Sequence, residues 1–78
     1  MLNDLVGKEI TITVFRLNET TKSGFMEVYY DGWVESVEGS RITLKNILRS
    51  THINLEQTSS TGFITFNMKC PNILLMDH

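Results

Sequence analysis

The sequence predicts a small all-β domain, and three observations lead to this fold class. Several short stretches alternate apolar and polar residues and are separated by turn-forming residues, which is typical of strands. The longest extended run, from Val28 to Val37, contains Asp31-Gly32, and a glycine inside a strand often marks a sharp bend. We expect Gly32 to adopt a backbone conformation that other residues reach poorly. A short apolar segment, Asn72 to Met76, completes the series. Together these features favour a small, sharply bent barrel.

The first elements follow from the spacing of apolar residues. Leu2, Leu5 and Val6 recur at helical spacing before a glycine, which predicts a short N-terminal helical turn. The stretch from Glu9 to Phe15 alternates isoleucine and valine with threonine, and it predicts a half-buried strand. Asn18 to Gly24 is rich in polar and turn-forming residues, so we expect a loop there.

The middle of the chain predicts a long strand and a tight hairpin. Phe25 to Val37 has the composition of an extended segment. Glu38-Gly39 then makes a tight connection into the next strand, Arg41 to Leu48. Ile47 and Leu48 are adjacent apolar residues and break the alternation of that strand. The hairpin is therefore predicted with an irregularity near its far end.

The remaining segments are short. His52 to Glu56 predicts another strand, and Thr58 to Gly62 is a cluster of turn-forming residues. Phe63 to Asn67 alternates again, and Asn72 to Met76 is expected to be the last strand. Pro71 lacks a backbone donor and therefore belongs at a strand start or edge. Many short strands indicate a barrel or a sandwich, and a barrel fits this chain length better.

Length and charge limit the classes of function. With 78 residues, the chain is expected to form one domain, residues 1–78, and small domains often gain stability by pairing with further copies. The net charge is −2, whereas nucleic-acid binding usually leaves a basic footprint. Cys70 is the single cysteine, which excludes an internal disulfide. Because no signal peptide or long apolar run is present, we expect a cytoplasmic protein without a membrane partner.

Three segments resemble the Sm and Sm-like family. Residues 5–12, LVGKEITI, are similar to the helix end and first strand of that family. Residues 32–38, GWVESVE, resemble its glycine-led first motif, and residues 68–73, MKCPNI, resemble the second motif before the closing strand. The resemblance spans most of the chain. It implies a small, strongly bent five-stranded barrel of the SH3-like type that follows a short helix and commonly assembles into RNA-binding rings.

Some positions depart from the family pattern. Where the family has an asparagine that contacts an RNA base, this chain has Arg41 to Thr43, and Cys70 stands in place of the glycine of the second motif. Lys69 takes the place of the basic residue, but it lacks the planar fork with which arginine stacks and binds. The resemblance implies Lys69 and Asn72 as binding residues, while RNA becomes the alternative rather than the favoured partner.

No catalytic, metal or cofactor site is predicted. His52 and His78 are far apart and, with the single cysteine, have no metal-ligand spacing. Asp31, Glu35 and Glu38 flank a bend and a turn, where acidic residues commonly serve solubility and turn formation. The glycines are isolated and form no phosphate-binding loop. We therefore expect a protein that is not an enzyme.

The aromatic residues near the glycine give the best candidate contact surface. Most aromatic side chains of a small barrel are expected to fill its core. Tyr29 and Tyr30 are adjacent in an extended run and should point to opposite faces, so at least one is expected at the surface near Trp33. The candidate binding residues are thus Tyr29, Tyr30 and Trp33, together with Lys69 and Asn72.

The sequence predicts a binding or assembly module. We expect the chain to self-associate through edge strands, either Asn72–Met76 or Ile64–Phe66, because unpaired strand edges are templates for pairing. The surface between Tyr29 and Trp33 is expected to contact a protein partner. An RNA-binding Sm-like ring is the alternative function.

Overall fold

A computed structural model gives the structure of the protein and describes residues 2–17, 24–54 and 56–77. Its elements are a 3₁₀ turn, Leu2–Leu5, and the strands β1, Glu9–Leu17; β2, Phe25–Glu38; β3, Arg41–Thr51; β4, Thr58–Ser60; β5, Ile64–Asn67; and β6, Ile73–Asp77. The strands form one antiparallel sheet in the order β4-β3-β2-β1-β6, and β5 also pairs with β3. The prediction of a small all-β domain is confirmed. The predicted loop falls largely on residues 18–23, which lie outside the described residues.

The short N-terminal turn predicted from the leucine spacing forms as a 3₁₀ turn, and it packs onto β2. Leu5 lies buried in the core. Gly7 has a φ of 84°, in the left-handed region that favours glycine. The Gly7 N–H donates to the carbonyl oxygen of Val34 at 2.9 Å, and the Val34 N–H donates to that of Lys8 at 2.9 Å. These two hydrogen bonds fix the start of β1 against the second half of β2.

Strand β1 lies inside the sheet between β2 and β6. Its isoleucine and valine side chains enter the core, as the alternation predicts. The opposite face is not exposed, however, because Thr11 and Thr13 are buried as well. Thr13 lies in register between the larger residues Tyr29 of β2 and Leu74 of β6, which shelter it. The strand is therefore buried on both faces rather than half-buried.

The pairing of β2 with β3 becomes irregular at Gly32, where a bend is predicted. The expected cause, an unusual backbone conformation of this glycine, is wrong, because Gly32 does not have a positive φ. Instead, a Cβ atom at Gly32 would lie 2.9 Å from the carbonyl oxygen of Lys45. The left-handed residue is Asn46 on β3, with a φ of 52°. This local bulge explains why Ile47 and Leu48 break the alternation of β3.

The structure has six strands, whereas the resemblance to the Sm-like family implies five. Strand β4 falls in the stretch predicted as a turn cluster and pairs with residues 47–49 of β3. Strand β5 pairs with residues 41–44 of the same strand, and its register differs from that of β4 by one residue. Both strands therefore run along one edge of β3. The predicted count is wrong because this outer neighbour of β3 is interrupted at residues 61–63.

The predicted strand from His52 to Glu56 does not form in its described residues, 52–54 and 56. The Thr51 N–H donates to the Asn54 carbonyl oxygen at 3.0 Å, which turns the chain. The His52 N–H donates to the Glu27 carbonyl oxygen at 3.1 Å, while the Glu27 N–H donates to the His52 Nδ1 at 2.9 Å. The imidazole thus replaces the next main-chain acceptor of β3, and the chain leaves the sheet.

The core is built from β1, β2, β3 and β5 with one leucine of the N-terminal turn. Its buried apolar residues are Leu5, Ile10, Ile12, Val14, Val28, Tyr30, Val34, Ile42, Leu44, Ile47 and Phe66. The sheet does not close within the described residues, because β6 pairs only with β1, and β4 and β5 pair only with β3. In the same part of the chain, no helix has the length and apolar character needed to cross a bilayer.

Candidate functional site

The three aromatic candidates on β2 divide between the surface and the core. Tyr30 is only 7% exposed and packs against Phe66, with ring centroids 5.1 Å apart and ring planes inclined by 57°. Tyr29 is half-buried on the other face of the strand, and Trp33 is 42% exposed. The adjacent tyrosines therefore point to opposite faces, as predicted. Tyr29 and Trp33 can meet a partner, whereas the Tyr30 ring contributes to the core.

Tyr29 has a well-defined polar environment. Its hydroxyl group donates to a Glu27 carboxylate oxygen at 3.1 Å. Burial raises the pKa of Tyr29 above its usual value, and the hydrogen bond to Glu27 and the negative charge of that residue raise it further. Tyr29 pairs in register with Thr13 and Ser50, which are both buried. The phenol therefore stays neutral near physiological pH, and the side chain is partly exposed.

Trp33 lies beside a charged pair on the outer face of the sheet. In register, it is flanked by Glu9 of β1 and Lys45 of β3. The Lys45 Nζ atom lies 2.8 Å from a Glu35 carboxylate oxygen, and both side chains are nearly half exposed. An ion pair of this exposure adds little stability. This surface combines a large apolar ring with charges of both signs.

The three acidic residues near the bend have different surroundings. The Thr11 hydroxyl group donates to one oxygen of Asp31, and the Gln57 amide donates to the other at 3.5 Å. Glu35 pairs with Lys45, and Glu38 is exposed at the hairpin turn. Asp31 thus links β1, β2 and the segment before β4. Asp31 therefore has a structural role, Glu35 forms a surface ion pair, and Glu38 is exposed to solvent.

The two candidates from the second motif are held by different partners. The Asn72 Nδ2 atom donates to the Phe15 carbonyl oxygen at 3.2 Å, and the Phe15 N–H donates to the Asn72 carbonyl oxygen at 2.8 Å. The Lys69 N–H donates to the Asn67 side-chain oxygen at 3.0 Å, and the Lys69 side chain is exposed. Asn72 therefore fastens the turn to β1. Within the described residues, neither Lys69 nor Asn72 makes a hydrogen bond to Tyr29 or Trp33.

Sequence reasoning missed a cleft between β3 and β4. The cleft has a volume of about 350 Å³, and it is lined by Asn46, Ile47, Leu48, Ser59, Ser60 and Thr61. Two signals in the sequence point to it only in retrospect. The break in alternation at Ile47 and Leu48 marks the bulge, and the serine–threonine run predicted as a turn forms the opposite wall.

Cysteine and histidine chemistry is not assembled in the described part of the chain. Cys70 is half-buried, and it is a free thiol. Its N–H donates to the Asn67 carbonyl oxygen at 3.1 Å, which places it in the turn before β6. Within residues 2–17, 24–54 and 56–77, no three His, Cys, Asp or Glu side chains lie together as a metal-binding group.

Comparison with other proteins adds no assignment. No family model, curated protein or solved structure matches this chain. The resemblance of residues 5–12, 32–38 and 68–73 to the Sm-like family therefore stays a prediction. The function has to be argued from the open edges and outer surfaces of the sheet.

Proposed function

We propose that this chain is a non-enzymatic assembly module whose copies join edge to edge and whose outer surface contacts a protein partner. One observation carries the proposal: within the described residues, both flanks of the sheet are open. Strand β6 has a partner only on the side of β1, and β5 has a partner only on the side of β3. Open strand edges are templates for pairing with another chain.

The open edge of β6 has identifiable main-chain groups. The Phe15 N–H donates to the Asn72 carbonyl oxygen in the same register as the β1–β6 ladder. Hydrogen-bonded pairs alternate along antiparallel strands. The main-chain N–H and carbonyl of Leu74 therefore point toward β1, and those of Leu75 point outward. The Ile73 N–H also faces outward but is bound to the Cys70 carbonyl oxygen at 3.2 Å. Leu75 therefore offers both a donor and an acceptor to another strand.

Strand β5 presents a matching pair of groups. The Met68 N–H donates to the Ser40 carbonyl oxygen at 2.8 Å, in register with the β3–β5 ladder. By the same alternation, the main-chain N–H and carbonyl of Phe66 point toward β3, and those of Thr65 point outward. The Thr65 hydroxyl group lies 2.8 Å from that of Thr43, so its side chain is tied within the chain. Its main-chain groups are left for a partner strand.

These edges lack the usual protection against pairing. Edge strands are commonly blunted by lysine, proline or an inward-pointing charge. β5 has the sequence ITFN and β6 has ILLMD, so the two strands together contain a single charged residue, Asp77. Phe63, just before β5, is 66% exposed, and Leu74 in β6 is 52% exposed. Pairing of the two edges would place these apolar side chains near a neighbouring copy.

The favoured arrangement is head to tail, with β5 of one copy beside β6 of the next. The two strands lie on opposite flanks of the sheet, so such contacts continue from copy to copy until a ring closes. A strongly bent, Sm-like barrel is the finer form of this proposal, and the long β2, with the β3 bulge opposite Gly32, supports it. Tyr29 and Trp33 then form the surface for the protein partner.

The assembly is tested most directly at Thr65. Thr65→Pro removes the outward N–H of β5 but no donor of the β3–β5 ladder, and proline is tolerated at such edge positions. Thr65→Val is the matched control, because it loses the same hydroxyl group and keeps the N–H. By light scattering at high micromolar concentration, we expect the wild type and Thr65→Val to be oligomers and Thr65→Pro to be a monomer.

The opposite flank gives a second, independent test. Leu74→Lys adds a charge to β6 and is expected to produce a monomer, whereas Leu17→Lys changes a residue that is 83% exposed and should leave the assembly intact. A strictly monomeric wild type at high micromolar concentration would rule out self-association. Equal masses for Thr65→Pro and Thr65→Val would show that the copies join elsewhere.

We expect RNA binding to be weak and without base preference. The net charge is −2, and base selectivity needs polar groups and stacking aromatic rings held in one pocket, which Lys69 and the buried Tyr30 do not form. Titration with short A-rich and U-rich RNA at physiological salt, followed by fluorescence anisotropy, measures this directly. Tight binding to one RNA that is lost in Lys69→Ala would instead favour the RNA-binding ring.

A further inference from the structure

We propose that the β3–β4 cleft, lined by the residues given above, binds an extended, uncharged segment of another polypeptide, which adds as a strand along β4. This site adjoins the β5 edge on the same flank of β3, but its lining includes no residue of β5 or β6. The inference does not depend on self-association. Three features carry the inference: an outward-facing amide on β4, a lining without charge, and a group of polar side chains around an apolar floor. Each feature is a property of described residues.

The outward amide belongs to Ser59. The His52 N–H donates to the Glu27 carbonyl oxygen in register with the β2–β3 ladder, so alternation directs the amides of Leu48 and Ser50 to β2. The main-chain N–H and carbonyl groups of the intervening residues, Ile47 and Arg49, point toward β4. Their partners Thr58 and Ser60 therefore face inward, and the N–H and carbonyl of Ser59 face the open side of β4. A peptide strand can pair with these groups, as in recognition by strand addition.

The lining selects an uncharged ligand. None of its six residues is charged, so the cleft offers no cation for a phosphate or carboxylate and no anion for an amine. Two cations flank the lining along β3: Lys45, which pairs with Glu35, and Arg49, which lies opposite Thr58. A nucleic acid would bring a charged backbone to this neutral surface. A peptide strand brings neutral amides that match the Ser59 edge.

The polar groups of the cleft are available for recognition. Within the described part of the chain, the side chains of Asn46, Ser59, Ser60 and Thr61 make no hydrogen bond, and all four are exposed. They surround Leu48, whose side chain is 38% exposed. A few polar groups around an apolar floor are typical of a ligand cleft. The floor takes an apolar side chain of the peptide, and the rim pairs with its main chain.

Asn46 supports this reading through its backbone. Its φ of 52° is in the left-handed region, which is sparsely populated by residues other than glycine and is frequent at functional sites. Glycine would adopt this conformation at less cost. The asparagine keeps an amide group at the cleft that glycine would not provide, which fits a role in contacting a ligand.

The experiment uses the full chain and a displayed library of random ten-residue peptides. Enriched peptides are synthesised with blocked termini and titrated by calorimetry. We expect peptides with uncharged centres, and we expect Ser59→Pro and Leu48→Lys to weaken binding by about tenfold, as for the loss of a main-chain hydrogen bond within a desolvated contact. Ser59→Ala keeps the amide, and Leu17→Lys adds the same charge elsewhere, so both should retain the wild-type affinity.

Two further variants separate the contributions. Asn46→Gly preserves the left-handed backbone and removes the amide, so it should weaken binding while leaving the melting temperature unchanged or higher. Thr65→Pro should leave peptide binding intact even where it abolishes assembly, which distinguishes the failure of one proposal from that of the other. Enrichment no greater than on Leu48→Lys, or equal affinities of Ser59→Pro and Ser59→Ala, would overturn the proposal. Binding of uridine-rich RNA that is lost in Leu48→Lys would also overturn it.

Discussion

Replacing Gly32 with valine is expected to lower the free energy of unfolding by about 1–3 kcal/mol, the range for overpacked positions. A Cβ atom at this position would lie 2.9 Å from the Lys45 carbonyl oxygen and 3.4 Å from side-chain atoms of Leu44 and Ile47. The closest of these atoms belongs to the backbone of β3, so it can move only if the ladder opens. Urea unfolding followed by tryptophan fluorescence measures the effect.

Gly62 provides the matched control. A Cβ atom there has no atom within 4 Å, and this glycine does not have a positive φ. Gly62→Val should therefore leave the unfolding midpoint nearly unchanged. Gly32→Ala is expected to fall between the wild type and Gly32→Val, since it adds the clashing atom without the branches. If Gly32→Val unfolds at the wild-type urea concentration, the two backbones do not approach closely at this point.

Replacing Leu44 with alanine is expected to cost about 2–5 kcal/mol, the range for buried leucines. Leu44 is fully buried and pairs in register with Val34 of β2 and Ile64 of β5. Truncation removes apolar contacts at the junction of three strands and leaves a cavity that their backbones cannot fill. In a domain of this size, such a loss is a large part of the total stability.

Leu17→Ala is the control for this truncation, because it removes the same atoms from a strand residue that is 83% exposed. Its effect on thermal and urea unfolding should be within about 0.5 kcal/mol of zero, as for other surface substitutions. Similar destabilisation by both variants would show that Leu44 is not at the centre of the core. A chain already unfolded at room temperature in Leu44→Ala would agree with the prediction at its upper limit.

The regular strands were predictable from local pattern. The alternation in β1 and the long extended run of β2 locate both strands within two residues, and the apolar segment before Asp77 locates β6. Pattern succeeds here because one face of each segment must enter the core. The importance of the glycine in β2 was also predictable. The reason that only glycine fits there was not, because the close approach of the Lys45 carbonyl depends on a partner strand that the local sequence does not specify.

The elements that were missed depend on contacts distant in sequence. Strand β4 is polar and fully exposed, so its three residues carry no alternation, and only the open edge of β3 makes them a strand. His52 ends β3 through a hydrogen bond to Glu27, a residue 25 positions away. The candidate surface was predicted in part. Alternation separates Tyr29 from Tyr30, but only the packing against Phe66 shows which of the two lies inside.

The pairing of β1 with β6 has a consequence for the order in which the chain becomes structured. Ile10 is in register with Asp77, and Val14 with Ile73, so this ladder joins segments about 60 residues apart. The β1–β2–β3 meander can form as soon as those residues have left the ribosome. The other edge of β1 stays unpaired until β6 has been synthesised. Such late, long-range pairing slows folding. During that interval the vacant side of β1 is open to β6 of another chain, so we expect refolding at high protein concentration to yield strand-exchanged dimers, measurable by light scattering.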